Sequence, residues 1–349
     1  MRSGFSRRST GSITLASLAA RGTVEDMTST ESPRAAVIFN PTKGRIQELR
    51  RQIDAAATAA GWGESMWFET SVEDPGRGIA LEAVEAGAAM VLAAGGDGTV
   101  RSVAEGLRDS GIPLALLPPG TGNVLARNIG VPITNTADAI RIAFEGNTRH
   151  IDLGIATLSR IDGSIEEHGF LVMAGMGIDA DIMANTSDAL KKSFGWLAYV
   201  DAGIRVLPGA KPFRIRYQLE GKPVHSAHVS TILFGNCGTL TGGLEMMPDA
   251  VVDDGLLDVA VLQPRGTVGW IDVARRLRVD NGPLRKSVMG RRIIKATSGN
   301  SSTITYLRSA GITVSLEKPR AIELDGDGFG IVAGVRFATD PGALAVRVR

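Results

Sequence analysis

The chain is predicted to fold as an α/β domain with a Rossmann-like parallel sheet, followed by a β-rich sandwich domain. Three observations carry this. Short apolar runs alternate with helical patterns over the first 150 residues, which implies a parallel sheet covered on both faces. Two glycine-rich turns each follow such a run and precede a helical pattern. After His150 the spacing changes to period-two alternation, the signature of half-buried strands.

The first unit opens at Ala35-Ala36-Val37-Ile38-Phe39, which delivers Asn40-Pro41-Thr42-Lys43-Gly44 into a helix carrying Ile46, Leu49 and Ile53. Gly61 ends that helix. Met66-Trp67-Phe68 reads as a second strand, closed by Glu69-Thr70-Ser71 before a helix through Ile79, Ala83 and Val84. Ala89 to Ala93 is a buried strand that empties into Gly95-Gly96-Asp97-Gly98-Thr99, with Val100, Val103, Ala104 and Leu107 at helical spacing beyond. Ile112 to Leu117 repeats the plan, ending in Pro118-Pro119-Gly120-Thr121-Gly122-Asn123 before a helix through Leu125 and Ile129. The two glycine turns are about 25 residues apart, the length of a β-α-β step.

Glycines let backbone N–H groups approach an anion closely, and the helix that follows adds unpaired donors and its positive end. Asp97 is the odd member, because a carboxylate beside phosphates needs a cation between them: Mg2+, or a paired Arg or Lys. In a parallel sheet ligands sit beyond the C-terminal strand ends. Asn40, Thr42, Thr70, Gly96, Asp97 and Thr121 all fall there, so several turns converge on one crevice.

In the second half, Phe213, Ile215, Tyr217 and Leu219 alternate with polar neighbours, and Val229 to Phe234, Leu257 to Leu262, Ile312 to Leu316 and Val335 to Val348 add strands. Helices are expected over about Asp188 to Val206 and Thr267 to Val279. The domain boundaries read as an extension over 1–33, an α/β domain over 34–150, a sandwich over 151–330, and C-terminal strands over 331–349 that pack back on the first domain. Three polar stretches stand out: Gly175-Met176-Gly177-Ile178-Asp179-Ala180, Asp253-Asp254-Gly255-Leu256-Leu257-Asp258 after Gly242-Gly243, and Leu324-Asp325-Gly326-Asp327-Gly328.

Composition excludes several functions. At 349 residues the chain can build two cores, and a formal net charge of +1 argues against general nucleic-acid binding. The lone Cys237 fits a reducing compartment, and with four scattered histidines it supplies no His/Cys zinc site. No apolar run approaches the roughly 18 residues of a membrane span. Met1 to Pro33 is Ser-, Thr-, Arg- and Gly-rich and reads as disordered. Its Ser6-Arg7-Arg8 is a poor export signal because Thr14 and Ser17 break the apolar part, and Met27 is an alternative start.

Taken in order, NPTKG at Asn40 to Gly44, GGDGT at Gly95 to Thr99, PGTGN at Pro119 to Asn123, GMGIDA, DDGLLDV and the late DGD resemble the diacylglycerol kinase catalytic-domain family, in its bacterial lipid kinase branch, related to sphingosine and ceramide kinases. The resemblance runs from about Arg34 to the C-terminus and implies the fold shared by NAD kinases and diacylglycerol kinases. It implies an ATP-dependent kinase that phosphorylates the hydroxyl of a diacylglycerol-like lipid. Asn40, Pro41, Thr42, Lys43, Gly44, Thr70, Gly95, Gly96, Gly98, Thr99, Gly120, Thr121 and Asn123 carry over as ATP contacts. Asp97 carries over as the carboxylate of the Mg2+ and phosphate network, with Arg45, Arg127 and Asp152 as its polar support. A metal site maps to Asp254 with the backbone oxygens of Val251 and Leu256.

The family's general base is the acid of a late Asp-Gly-Glu, here Asp325-Gly326-Asp327, so Asp327 takes that role one methylene shorter. Two further departures are Arg101-Ser102 where the family continues with Asn and Glu, and Val124 where Asp is usual. A lipid substrate implies peripheral contact at the cytoplasmic face of a membrane. Arg275, Arg276, Arg278, Arg285, Lys286, Arg291, Arg292 and Lys295 would favour anionic lipid at about 1 kcal/mol per basic residue. Lys191 and Lys192 beside Phe194, Trp196 and Tyr199 are a second membrane-facing candidate. A homo-oligomer is left open. The rival enzyme is an NAD kinase, whose Thr-Gly-Ser-Thr-Ala-Tyr segment and Asn-Glu pair are absent; the rival class is a silent nucleotide or lipid sensor.

Overall fold

The computed structural model describes residues 32–42, 46–120, 122–177, 212–240, 245–266, 268–270, 272–273 and 303–349. The first half alternates β1 (Ala35–Phe39), α1 (Ile46–Ala59), β2 (Met66–Glu69), α2 (Arg77–Glu85), β3 (Met90–Ala94), α3 (Asp97–Leu107), β4 (Leu114–Leu116), α4 (Val124–Asn128) and α5 (Thr136–Glu145). Its four strands pair in parallel in the order β4-β3-β1-β2. β1 and β3 are continuous apolar runs because helices cover both faces of the sheet. On α3 the predicted stripe of Val100, Val103, Ala104 and Leu107 is buried. The sequence reading did not separate out α5. Its start is set by Asn135, whose side chain accepts from the Asp138 N–H at 3.1 Å, and Ala139, Ile140, Ala143 and Phe144 pack inward.

The second half comprises β5 (Asn147–Ser159), β6 (Ile165–Phe170), β7 (Met173–Met176), β8 (Phe213–Leu219), β9 (His225–Val229), β10 (Thr231–Gly235), β11 (Leu257–Leu262), β12 (Ile304–Ser309), β13 (Gly311–Leu324) and β14 (Asp327–Val348). The run expected from Val229 to Phe234 is two strands, β9 and β10, divided at Ser230, whose N–H donates to Leu262 at 2.9 Å. Of the helix expected over Thr267 to Val279, residues Val268–Trp270 and Asp272–Val273 are helical; the rest, like the whole of Asp188 to Val206 and Met1 to Glu31, lies outside the described residues.

Inward residues of β5 to β11, β13 and β14 form a second core around Phe170, Phe234 and Phe337. Phe337 stacks on Phe234 with ring centroids 3.8 Å apart and meets Phe170 edge-on at 5.9 Å. The two halves share strands rather than a linker. Position 150 falls inside β5 and position 330 inside β14. β14 pairs antiparallel with β13 and β5, and near its end Val346 pairs in parallel with Leu114 of β4. Among the described residues the result is one hydrogen-bonded network of 14 strands.

Candidate active site

The first wall of the site is backbone. Asn40 ends β1 in a local turn, its side-chain oxygen accepting from the N–H of Thr42 at 2.9 Å and from its hydroxyl at 2.7 Å. Pro41 follows on the exposed surface. Thr70, at the end of β2, is buried and donates from its N–H to Phe39 at 2.9 Å. β3 leads into Gly95 and Gly96, and Gly96 caps α3, whose first residue is Asp97. Gly95 packs against the buried Thr99. Gly120 is exposed in the second turn, and Asn123 caps α4 by accepting from the Ala126 N–H at 2.8 Å. The turns are tied together by Asp97, whose Oδ1 accepts from the Val124 N–H at 2.9 Å. The Lys43, Gly44, Arg45 and Thr121 assignments lie outside the described residues.

The second wall comes from the far end of the chain. Asp325 and Gly326 join β13 to β14 with φ of 49° and 95°. Positive φ at both central positions is the two-residue hairpin turn that suits Asp-Gly. The Asp325 carboxylate is buried and accepts from the N–H groups of Leu171, Val172 and Met173 at 2.7, 2.8 and 2.9 Å. Burial pushes its carboxyl up while these donors pull it down. So anchored, the hairpin sets Asp327 against α3. A methyl group placed on Gly98 would stand 2.9 Å from Oδ2 of Asp327, so the glycine is what permits the approach.

Arg101 completes this wall. It is 6% exposed, and its guanidinium donates to Oδ2 of Asp327 at 2.8 Å and to Glu105 at 3.2 Å. The same group lies over the Phe329 ring, 4.7 Å from its centroid. The residue that departs from the expected Asn is therefore joined to the acid that departs from the expected Glu. Burial, reinforced by Asp325 and Asp327, pushes Asp97 up to about 7 against the pull of the Val124 N–H. Glu323, on β13, is likewise pushed up to about 7 by burial and by Asp327. Sequence reasoning named Arg101 only as a departure and Asp325 only as part of the late turn, and passed over Glu323. Only the Asp-Gly pair of the turn carried a local signal for Asp325.

Asp152 finds its partners at two distant glycines. It accepts from Gly342 through Oδ1 at 2.9 Å and from Gly255 through Oδ2 at 2.7 Å, and so braces the loop at Val251 to Leu256. In that loop the carboxylate expected at a cation carries an ion pair. Asp254 pairs with Arg308 through Oδ2 and accepts from the Leu256 N–H through Oδ1 at 3.1 Å. Arg308 also reaches Asp258 at 3.2 Å and the Asp249 carbonyl at 3.1 Å. A guanidinium thus stands against both Asp254 and Asp258. Arg127 stands in the last turn of α4. Cys237 is fully buried, and burial pushes its thiol up, which makes it a packing residue.

A parallel α/β half joined to a β-rich half is the fold shared by diacylglycerol kinases and NAD kinases. Residues 34–156 match the diacylglycerol kinase catalytic domain, and residues 172–348 match the YegS C-terminal NAD kinase beta sandwich-like domain. The chain belongs to the diacylglycerol kinase catalytic-domain family. It is 31% identical over 326 residues to the probable lipid kinase YegS-like protein of Pseudomonas fluorescens, covering 91% of this chain and 96% of that one. It is 27% identical over 305 residues to a diacylglycerol kinase of Bacillus subtilis, covering 86% and 92%. A diacylglycerol kinase crystal structure from Bacillus anthracis superposes with a TM-score of 0.69 at 21% identity, covering 92% and 99%. Yeast NADH kinase complexed with NADH gives 0.51 at 7% identity, covering 92% and 84%. These two structures speak for the fold alone. Among the described residues no helix is long and apolar enough to cross a membrane.

Proposed function

We propose that the chain transfers the γ-phosphate of ATP to the hydroxyl of a diacylglycerol-like lipid, giving a phosphatidate-type product. The supporting observation is the meeting of Asp327 with Gly98 at the start of α3, which sets a proton acceptor beside the glycine turn. As the acceptor oxygen bonds to the γ-phosphorus, the bond from phosphorus to the β,γ-bridging oxygen breaks and its electron pair leaves with ADP. The hydroxyl proton passes to Asp327. Backbone N–H groups after β1, β3 and β4 and the N-terminus of α3 align the triphosphate.

Among the described residues no three His, Cys, Asp or Glu side chains form a metal site by themselves. Mg2+ fits here as a companion of the phosphates, since it is held by one or two carboxylates plus substrate oxygens. Asp97, raised to about 7 and facing the Coulombic pressure of Asp325 and Asp327, is the carboxylate suited to it. When bound, the ion neutralises charge on the transferring group.

Peripheral binding at the cytoplasmic face of an anionic membrane belongs to the same reading, supported by the basic run from Arg275 to Lys295. That run and the Lys191 to Tyr199 segment lie outside the described residues.

The test is transfer of labelled phosphate from ATP with Mg2+ to diacylglycerol, monoacylglycerol, phosphatidylglycerol, sphingosine, ceramide and NAD, with the lipids in mixed micelles. A labelled glycerolipid is expected. Labelled NAD would establish the rival kinase, and nucleotide binding without turnover the sensor.

A further inference from the structure

We infer that Arg101 is a positioning residue for the proton acceptor: its guanidinium takes Oδ2 of Asp327 and leaves Oδ1 to receive the hydroxyl proton. The inference rests on the lipid kinase reading and adds a member to that site. Asp327 lies at the start of β14, with its side chain 52% exposed. A short acid so exposed has several rotamers open to it, and only one can serve an aligned transfer. Among the described residues, Arg101 is the one group that bonds the Asp327 side chain.

Arg101 is itself fixed. Glu105, one helical turn on, takes a second guanidinium nitrogen at 3.2 Å, and the Glu105 carboxylate is held by the Gly169 N–H at 2.9 Å. The Phe329 ring closes the guanidinium's face. Arg160 donates to the Phe329 carbonyl at 2.6 Å, and the His168 ring lies 4.7 Å from the Phe329 ring. A planar fork with two carboxylates at its nitrogens and a ring on its face is a task for arginine and not for lysine, whose ammonium is a point charge. Arginine at 101 and the shorter acid at 327 work as a matched pair: the guanidinium fixes a carboxylate that falls short of a glutamate's reach.

A double-mutant cycle on kcat tests this, with KM for ATP and the thermal midpoint recorded for each variant. Asp327→Asn is expected to lower kcat about 100-fold or more. Arg101→Asn is expected to lower it about tenfold, with KM for ATP changed by less than about twofold. The double variant is expected to be no slower than Asp327→Asn, because a residue acting through another adds nothing once that partner is gone. In the Arg101→Asn background, Asp327→Glu is expected to recover most of the loss. Multiplicative losses in the cycle would overturn the inference and assign Arg101 an independent role, such as direct contact with the phosphates. Full activity in Arg101→Lys would overturn it as well, and that variant carries the same cycle should Arg101→Asn fail to fold. No labelled lipid from the wild-type chain would remove the kinase reading and the inference together, whereas product with multiplicative losses removes the inference alone.

Discussion

Two acids, Asp97 and Asp254, have similar sequence surroundings and opposite physical situations. Both precede a glycine, and the sequence marks both for a cation. At Asp254 the cation is built in: Arg308 spans Asp254, Asp258 and the Asp249 carbonyl. At Asp97 the neighbours are other acids, and burial pushes the carboxyl up to about 7. A loop acid already paired contributes to holding the fold. An acid left among other acids strains the unliganded protein and is relieved when a charged ligand arrives, which is how functional sites differ from structural ion pairs.

The largest effect that would break this contrast is at Asp97 itself. Asp97→Asn should lower lipid phosphorylation by about 100-fold or more, since charge alignment around the phosphates is most of the catalysis. The same variant should make the unliganded protein more stable above pH 7, by on the order of 2 kcal/mol, as read in urea melts. Equal losses of activity and stability would place Asp97 with the structural acids.

Arg308→Gln should show the reverse pattern. It strips two carboxylates of their partner, one of them the buried Asp258, and should cost about 2 to 3 kcal/mol of stability. With nucleotide absent, Mg2+ should leave the wild-type melting temperature unchanged and raise that of Arg308→Gln. A Mg2+-dependent rise in the wild type that Asp254→Asn abolishes would show a metal at this loop after all.

The pH dependence follows with a smaller amplitude. Burial pushes Asp97 and Glu323 up to about 7 from the ordinary carboxylate value of about 4, so the native state holds more protons than the unfolded chain between those limits. Their stabilising contribution is complete below about pH 4 and is lost as pH rises through 7. Between pH 5 and pH 8 the unliganded protein's melting temperature should therefore decline, and Asp97→Asn should flatten the decline. The smallest effect is at Gly98. Gly98→Ala should reduce kcat severalfold by pressing on Asp327, with the melting temperature nearly unchanged; equal activity would mean that the acid has room to move.

The same contrast separates what was legible in the sequence from what was not. The alternation of apolar runs and helical stripes, and the glycine turns at Gly95 and Gly120, are signals contained within a dozen residues, and they placed β1, β3 and α3 closely. Local signals also marked the Asp325-Gly326 turn. What they could not convey was partnership. Arg101 and Asp327 are 226 positions apart, and Arg308 and Asp254 are 54 apart. An arginine on a helix reads as a solvated face until the opposing wall is known. Asp152 is a further case, since its two glycine partners lie 103 and 190 positions away.

β14 has a mechanical consequence. Its first residue is Asp327, the acid of the proposed transfer, and near its end Val346 pairs with Leu114 of β4, the strand that leads to the second glycine turn. Asp327 and the second glycine turn are thus carried by neighbouring strands of one sheet. Trimming the last few residues of the chain would then loosen a reaction centre they never touch.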